Sequence, residues 1–199
     1  DRGAKKVIMR TCKACKTKFQ PQYNTIQPTC SIKCAIDYAN EKKLKERRKD
    51  TRRRKQALKT RSDWLREAQN AFNAYIRERD KGQNCISCDR SKQELNINNP
   101  ISMVCGHFQT VGGHPELRFN PLNAHLQCTR CNGGAGKYGQ FNSKAKTVTQ
   151  EYEQRLILKI GQDKVDWLKG PHQAQNLSID EIQEIKQYFR EQLKHLKSV

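Results

Sequence analysis

"VCGHFQTVGGHPELRFNPLNAHLQCTRCN", residues 104–132, carries three of the chain's five histidines and three of its nine cysteines. Val104 to Phe108 reads as a short strand, the glycines of "TVGGHP" as a turn, and "NPLNAHLQC" as the entry to a helix. A strand pair followed by a helix, held by a metal at its base, would set His107 on the strand opposite Asn132 on the helix. The fold therefore turns on whether Cys128 and Cys131, at the end of the stretch, close a metal site with another cysteine pair.

They have that pair in "CISC", Cys85 to Cys88, separated from Cys128 by 39 residues. Two CxxC pairs are the signature of tetrahedral Zn2+ bound by four thiolates, a closed site with no open position for chemistry. This zinc is expected to be structural, pinning both ends of the enclosed segment. Cys12 and Cys15 in "CKAC", followed after fourteen residues by Cys30 and Cys34 in "CSIKC", predict a second structural Zn2+, where metal replaces a core that so few residues cannot form. Cys105 is left over from both sets and is expected to be a buried thiol.

The chain needs such staples. Of 199 residues 35% are hydrophobic and 30% charged, and the mean hydropathy is -0.98, so any core must be small. A secreted disulfide framework would bring a signal peptide and an even cysteine count; the N-terminus here is basic without an apolar segment. No apolar run approaches the roughly 18 residues of a membrane helix. The expectation is a soluble, cytoplasmic protein with reduced thiols available to zinc.

The net charge of +19 is unevenly spread: residues 1–61 hold 20 Lys/Arg against 5 Asp/Glu, and residues 62–199 hold 19 against 15. From Lys42 to Arg61 twelve of twenty residues are cationic and two acidic, a run that repels itself unless a polyanion is present. A membrane surface fits poorly, because "KKLKERRKDTRRRKQALK" has almost no apolar stripe. Nucleic acid is the expected polyanion, with Arg47, Arg48, Arg52, Arg53, Arg54 and Lys55 as its contacts, and the resemblance given below makes it DNA.

Three regions follow: a zinc knuckle over 1–34, a basic helical arm over 35–61, and a domain over 62–199 whose core spans 83–142 between flanking helices. The arm helix starts near Ser31 and, short of apolar anchors, is expected to be exposed. Ser62 is the expected N-cap of the next helix, with Trp64, Leu65, Ala68, Ala71, Phe72, Tyr75 and Ile76 on one apolar face, ending near Gly82. A further helix spans about 143–160 and stops at Gly161; the last opens with a capping box, Ser178 to Glu181. Both are expected to pack on the Trp64 helix. The fold class is α+β, mostly helical.

The GH, N and CxxCN elements resemble the HNH (ββα-metal) nucleases. With "TRSDWLREAQNAFNAYIRERD", both knuckles, the basic segment and "LRFNPLNAHLQCTRCN" in order, the whole chain resembles the NinG/Rap family of phage recombination endonucleases. The resemblance implies a zinc-stapled HNH core and catalysis with one Mg2+ or Mn2+. His107 would be the general base, which a neutral imidazole suits. Asn132 would supply a carbonyl ligand to the catalytic ion, and Asn123 would brace the loop that orients His107. Many HNH enzymes carry an aspartate before the catalytic His as a second metal ligand; here Gly106 stands instead. His125 is the candidate replacement, catalytic and metal-binding, with Glu116 and Asn120 behind it. Arg118 and Lys137 are candidate phosphate contacts, and His114 a surface or substrate contact.

The expected function is metal-dependent, structure-selective cleavage of branched DNA, Holliday junctions and D-loops, by a phage protein in the bacterial host cell. A homodimer and recombination proteins of phage or host are the possible partners. The rival is a non-catalytic, zinc-containing DNA-binding recombination mediator whose HNH motif has decayed, for which Gly106 is the best argument.

Overall fold

Each cysteine tetrad sits in its own structural unit, Asp1–Lys59 and Thr60–Val199, in a computed structural model that describes residues 9–95, 102–137 and 143–198. In the first unit β1 (Arg10–Thr11) pairs antiparallel with β2 (Lys18–Phe19). Lys16 takes a φ of 64° in the turn between them. Ser31 then caps α1 (Ile32–Ala57), its hydroxyl accepting from Cys34 N at 3.2 Å. None of the 26 residues of α1 is buried. At 1.5 Å per residue it is about 39 Å of helix, carried by strong helix formers and by Arg54 and Lys55 against the dipole of its last turn.

The second unit starts with α2 (Arg61–Arg79), capped by Thr60 rather than Ser62. Thr60 has Asp63 three residues on and forms a reciprocal capping box, whereas the residue three beyond Ser62 is Leu65, which cannot return the bond. The short α3 (Lys92–Leu95) follows the first cysteine pair. Then β3 (Met103–His107) pairs antiparallel with β4 (Ala124–Cys128), in a register that sets Met103 against Cys128 and His107 against Ala124. The helix α4 (Thr129–Lys137) comes next and packs back on both strands. The stretch read as a helix entry is thus a 3-10 turn, Pro121–Asn123, and then a strand. All five residues of β4 are buried, so it lacks the alternation that marks a half-exposed strand.

Both faces of the hairpin are covered. One meets α2 and α7 (Ile179–Ser198), where Phe72, Ile76, Cys105, Ala124 and Phe189 form a core. A second core joins Ile86 and Leu117 to Tyr152 and Leu156 of α5 (Ser143–Ile160) and to Val165 and Leu168 of α6 (Gln162–Lys169). Only α7 packs extensively on α2; α5 packs on α4 and α6 instead. The break that starts α6 is Gly161, at a φ of 92°, a conformation that glycine tolerates without steric cost.

The outer edge of β4 is satisfied by side chains and by the knuckle. The buried Asp80 carboxylate accepts from Leu126 N at 3.0 Å, Arg79 donates to Ala124 O at 2.8 Å, and Ile86 N donates to Leu126 O at 3.0 Å. Arg79 and Asp80 are themselves joined by two 2.8 Å bonds. Burial would raise the Asp80 carboxyl, but the Arg79 guanidinium, the Lys159 ammonium and the Leu126 amide together hold it below the usual carboxylate range. Among the described residues no helix is long and apolar enough to cross a membrane.

Candidate active site

His107 ends β3, half-buried, with its ring 5.7 Å from that of Phe72. Its Nε2 lies 3.0 Å from the carbonyl oxygen of Arg118. A carbonyl only accepts, so Nε2 carries the proton and Nδ1 keeps the lone pair. Burial lowers the imidazole below its usual range, the Arg118 carbonyl works against this, and the Arg118 guanidinium adds to it. The ring is therefore a neutral, oriented acceptor at neutral pH.

Asn123, fully buried, sits where the resemblance wants a brace. Its Nδ2 donates to Gln109 O at 3.0 Å and to Leu117 O at 3.2 Å, and its Oδ1 accepts from Gln109 N at 2.7 Å. Its own carbonyl accepts from Phe108 N at 2.8 Å. One amide thereby ties the residues just after His107 to the turn that ends in Arg118, fixing the carbonyl that holds the imidazole. His107, Asn123 and Arg118 are brought together.

His125 is not brought to them. The register pairs it with Gly106, and since side chains alternate along a strand it points to the face opposite His107. It is 2% exposed, with Nδ1 3.4 Å from the Tyr152 hydroxyl, and burial lowers it to about 3. A ring sealed beneath α5 has no path to an ion shared with His107. The residues behind it are committed elsewhere: Glu116 to His114 at 3.1 Å, Asn120 to Leu122 N at 2.9 Å. Asn132 is exposed in the first turn of α4. Lys137 ends α4, and its side chain falls outside the described residues, as do 96–101 and 138–142 of the expected core.

What sequence reading missed is Gln127. A Cβ at Gly106 would lie 2.1 Å from Gln127 Oε1 and 2.8 Å from Gln127 Cβ. The space that a side chain at 106 would fill is already taken from the neighbouring strand. The Gln127 Nε2 donates to the buried Ser87 hydroxyl at 2.7 Å, inside "CISC". The signal was present as a glycine in a strand, which often marks a close approach, but its partner depends on register.

The two tetrads could hold zinc ions. In each, four Sγ atoms lie within 4.8 Å of one another. The Cys15–Cys30 and Cys30–Cys34 sulfurs are 3.6 Å apart, near the ~3.8 Å edge of a tetrahedron with Zn–S of about 2.3 Å. Amides point at the sulfurs: Cys30 N at Cys12 Sγ, 3.4 Å, and Cys128 N at Cys85 Sγ, 3.3 Å. In the second tetrad the Cys131 thiol, hydrogen-bonded to Cys85, draws Cys85 down to about 4 against the effect of burial, and the same contact pushes Cys131 up. Four sulfurs crowded in this way favour a divalent cation over shared protons.

Arg47, Arg48, Arg52, Arg53, Arg54 and Lys55 are all exposed on α1, and Asp50 lies 3.4 Å from Arg53.

Residues 4–198 match the family model described as Bacteriophage Lambda NinG protein. The chain belongs to the phage NinG family. It is 33% identical to the protein ninG of Escherichia phage lambda over 213 residues, covering 97% of this chain and 96% of the relative. It is 32% identical to the protein ninG of Salmonella phage P22, over 96% of each chain. No solved structure matches it.

Proposed function

We propose that this NinG protein is a metal-dependent, structure-selective DNA endonuclease of the HNH type that cuts branched recombination intermediates. The observation that carries the reading is the Nε2 bond of His107 to the Arg118 carbonyl, 3.0 Å long, which leaves Nδ1 of a partly exposed ring to act as the base. In this reading Nδ1 takes the proton of the water that attacks the phosphorus, and the Arg118 guanidinium steadies the phosphate beside it. Asn132, exposed in the first turn of α4, would hold Mg2+ or Mn2+ through its side-chain carbonyl oxygen, as suits an ion rarely given an all-protein cage. The ion would stabilise charge on the phosphate and the leaving 3'-oxygen. Two copies would serve the two strands of a junction.

The test is cleavage of a labelled four-way junction in Mg2+ and in Mn2+ by the parent chain and His107→Ala. The expected result is loss of about 10²- to 10⁴-fold in rate with binding retained. Equal cleavage by both removes His107 as the base. Binding without cleavage in either metal sinks the nuclease reading in favour of a recombination mediator.

A further inference from the structure

In a unit dense with cations, residues 19–32 contain no charged residue at all. This stretch, between Lys18 and Lys33, is the loop that joins the two cysteine pairs of the first tetrad. Its tip presents two large apolar side chains to water, Tyr23 at 81% exposure and Ile26 at 76%. Single exposed apolar residues are ordinary. What sets this pair apart is how firmly the backbone beneath it is held.

Gln27 is the brace. Its Oε1 accepts from Gln22 N at 2.9 Å and from Tyr23 N at 3.2 Å, and its Nε2 donates to Thr29 O at 2.8 Å. Asn24 Oδ1 accepts from Ile26 N at 3.1 Å, and Asn24 O accepts from Gln27 N at 3.2 Å. The Arg10 guanidinium holds Thr25 O, and Lys13 N donates to Pro28 O at 2.8 Å. Pro21 and Pro28 stiffen the two ends. These bonds fix the backbone of the loop, the Tyr23 and Ile26 amides included, and none of them involves the Tyr23 ring or the Ile26 side chain. The loop is ordered in order to present them.

The surroundings say to what. Lys13, Lys16 and Lys18 are exposed on the same knuckle, and α1 begins at Ile32, immediately after it. The unit holds 19 Lys/Arg against 5 Asp/Glu, a field that draws a polyanion and gives it no sequence preference. An apolar pair framed by such cations is what a nucleic-acid binder uses to enter a gap in base stacking, because the faces of the bases are broad apolar surfaces on an otherwise charged chain. Entering a stacked duplex costs a few kcal/mol for each step unstacked; a branch point, where stacking is interrupted, lowers that cost.

We propose that Tyr23 and Ile26 form a wedge that inserts among the unstacked bases of branched DNA, so that the knuckle, and not the basic helix, distinguishes a branch from linear duplex. This deepens the reading of the protein as one that acts on branched DNA and rests on it.

The experiment uses the full zinc-loaded chain. Binding is measured to a four-way junction carrying 2-aminopurine at its centre and to linear duplex of the same sequence, for the parent, Tyr23→Ala, Tyr23→Phe and Ile26→Ala. Loss of one stacked ring is expected to weaken junction binding by roughly 5- to 150-fold and to abolish the fluorescence change at the centre. Duplex binding stays within twofold of the parent, and Tyr23→Phe, which keeps the ring, behaves as the parent on both DNAs. Because the brace lies in Gln27 and Asn24, unchanged zinc content is expected in every variant. Equal effects of Tyr23→Ala on junction and duplex, or none on either, overturn the wedge while leaving DNA binding in place. A parent chain with no salt-sensitive affinity for either DNA overturns the underlying reading instead.

Discussion

Adding one methyl group at residue 106 tests how tightly Gln127 fills the space over Gly106. A Cβ there meets Gln127 Oε1 at 2.1 Å, Gln127 Cβ at 2.8 Å and Gln127 Cδ at 2.9 Å. The amide end can swing away, but the Cβ is fixed to the β4 backbone, so the strand pair must spread or the Gln127 side chain must leave. Gln127 is 3% exposed and its amide is bonded to Ser87, which is 0% exposed. Overpacking a core costs about 1–3 kcal/mol, and weakening the hydrogen bond to Ser87 adds about 1 kcal/mol, the net worth of such a bond. Gly106→Ala is thus expected to destabilise the protein by about 2–4 kcal/mol, or roughly 6–12 °C in Tm at about 3 °C per kcal/mol. The decisive comparison is a double-mutant cycle by denaturant unfolding of the zinc-loaded chain. Gln127→Gly removes all three clashing atoms, so Gly106→Ala introduced on that background should cost less than about 1 kcal/mol, well below its cost with Gln127 in place. Additive costs, or a Gly106→Ala variant as stable as the parent, would refute the claim that Gln127 fills the space over Gly106.

Elemental analysis after purification without added metal should find two zinc ions per chain, and Cys131→Ser should lose one of them together with the cooperative unfolding of residues 60–199; a parent value near one would remove one tetrad as a zinc site. Acid should destabilise the protein through His125. Its folded value of about 3 lies below the ordinary 6.5, so the unfolded chain binds the proton first, and this stability, present above about pH 6.5, is lost as pH falls toward 3. Between pH 7 and 5 the loss works out at about 2 kcal/mol, and His125→Gln should flatten the slope by that amount in unfolding titrations; an unchanged slope would count against the buried neutral ring. Removing residues 1–59 should weaken DNA binding and reduce the slope of log affinity against log salt, measured by anisotropy; an unchanged slope would mean that α1 does not grip the backbone.

The helices were legible because their signals are local. The periodicity of α2, the capping box at Ser178 and the stop at Gly161 each lie within a few residues of the feature they predict. The failures have local causes too. Ser62 and Thr60 differ only in what stands three residues on, Leu65 or Asp63. The eight residues of α6 are too few to build a periodic face, although Val165 and Leu168 are buried. The strand β4 was lost in an apparent helix entry because tertiary packing buries both of its faces, so the alternation that would have marked it is absent from its sequence.

The same strand decides the site. Read as a helix entry, "NAHLQC" leaves His125 free to stand beside His107, and the missing side chain at Gly106 looks like a gap that a neighbouring ligand should fill. Read as a strand in the observed register, it turns His125 to the far face and brings Gln127 over Gly106. The glycine is then accounted for by packing, since any larger residue would displace an amide that ties the strand to the cysteine knuckle. The two tetrads could be named from the sequence because each is set by its own motif, as could the pairing of His107 with a bracing Asn123. The roles of His125, Gly106 and Gln127 could not, because they depend on a one-residue register between strands whose paired ends, His107 and Ala124, are joined by a loop whose turn signals do not fix that register.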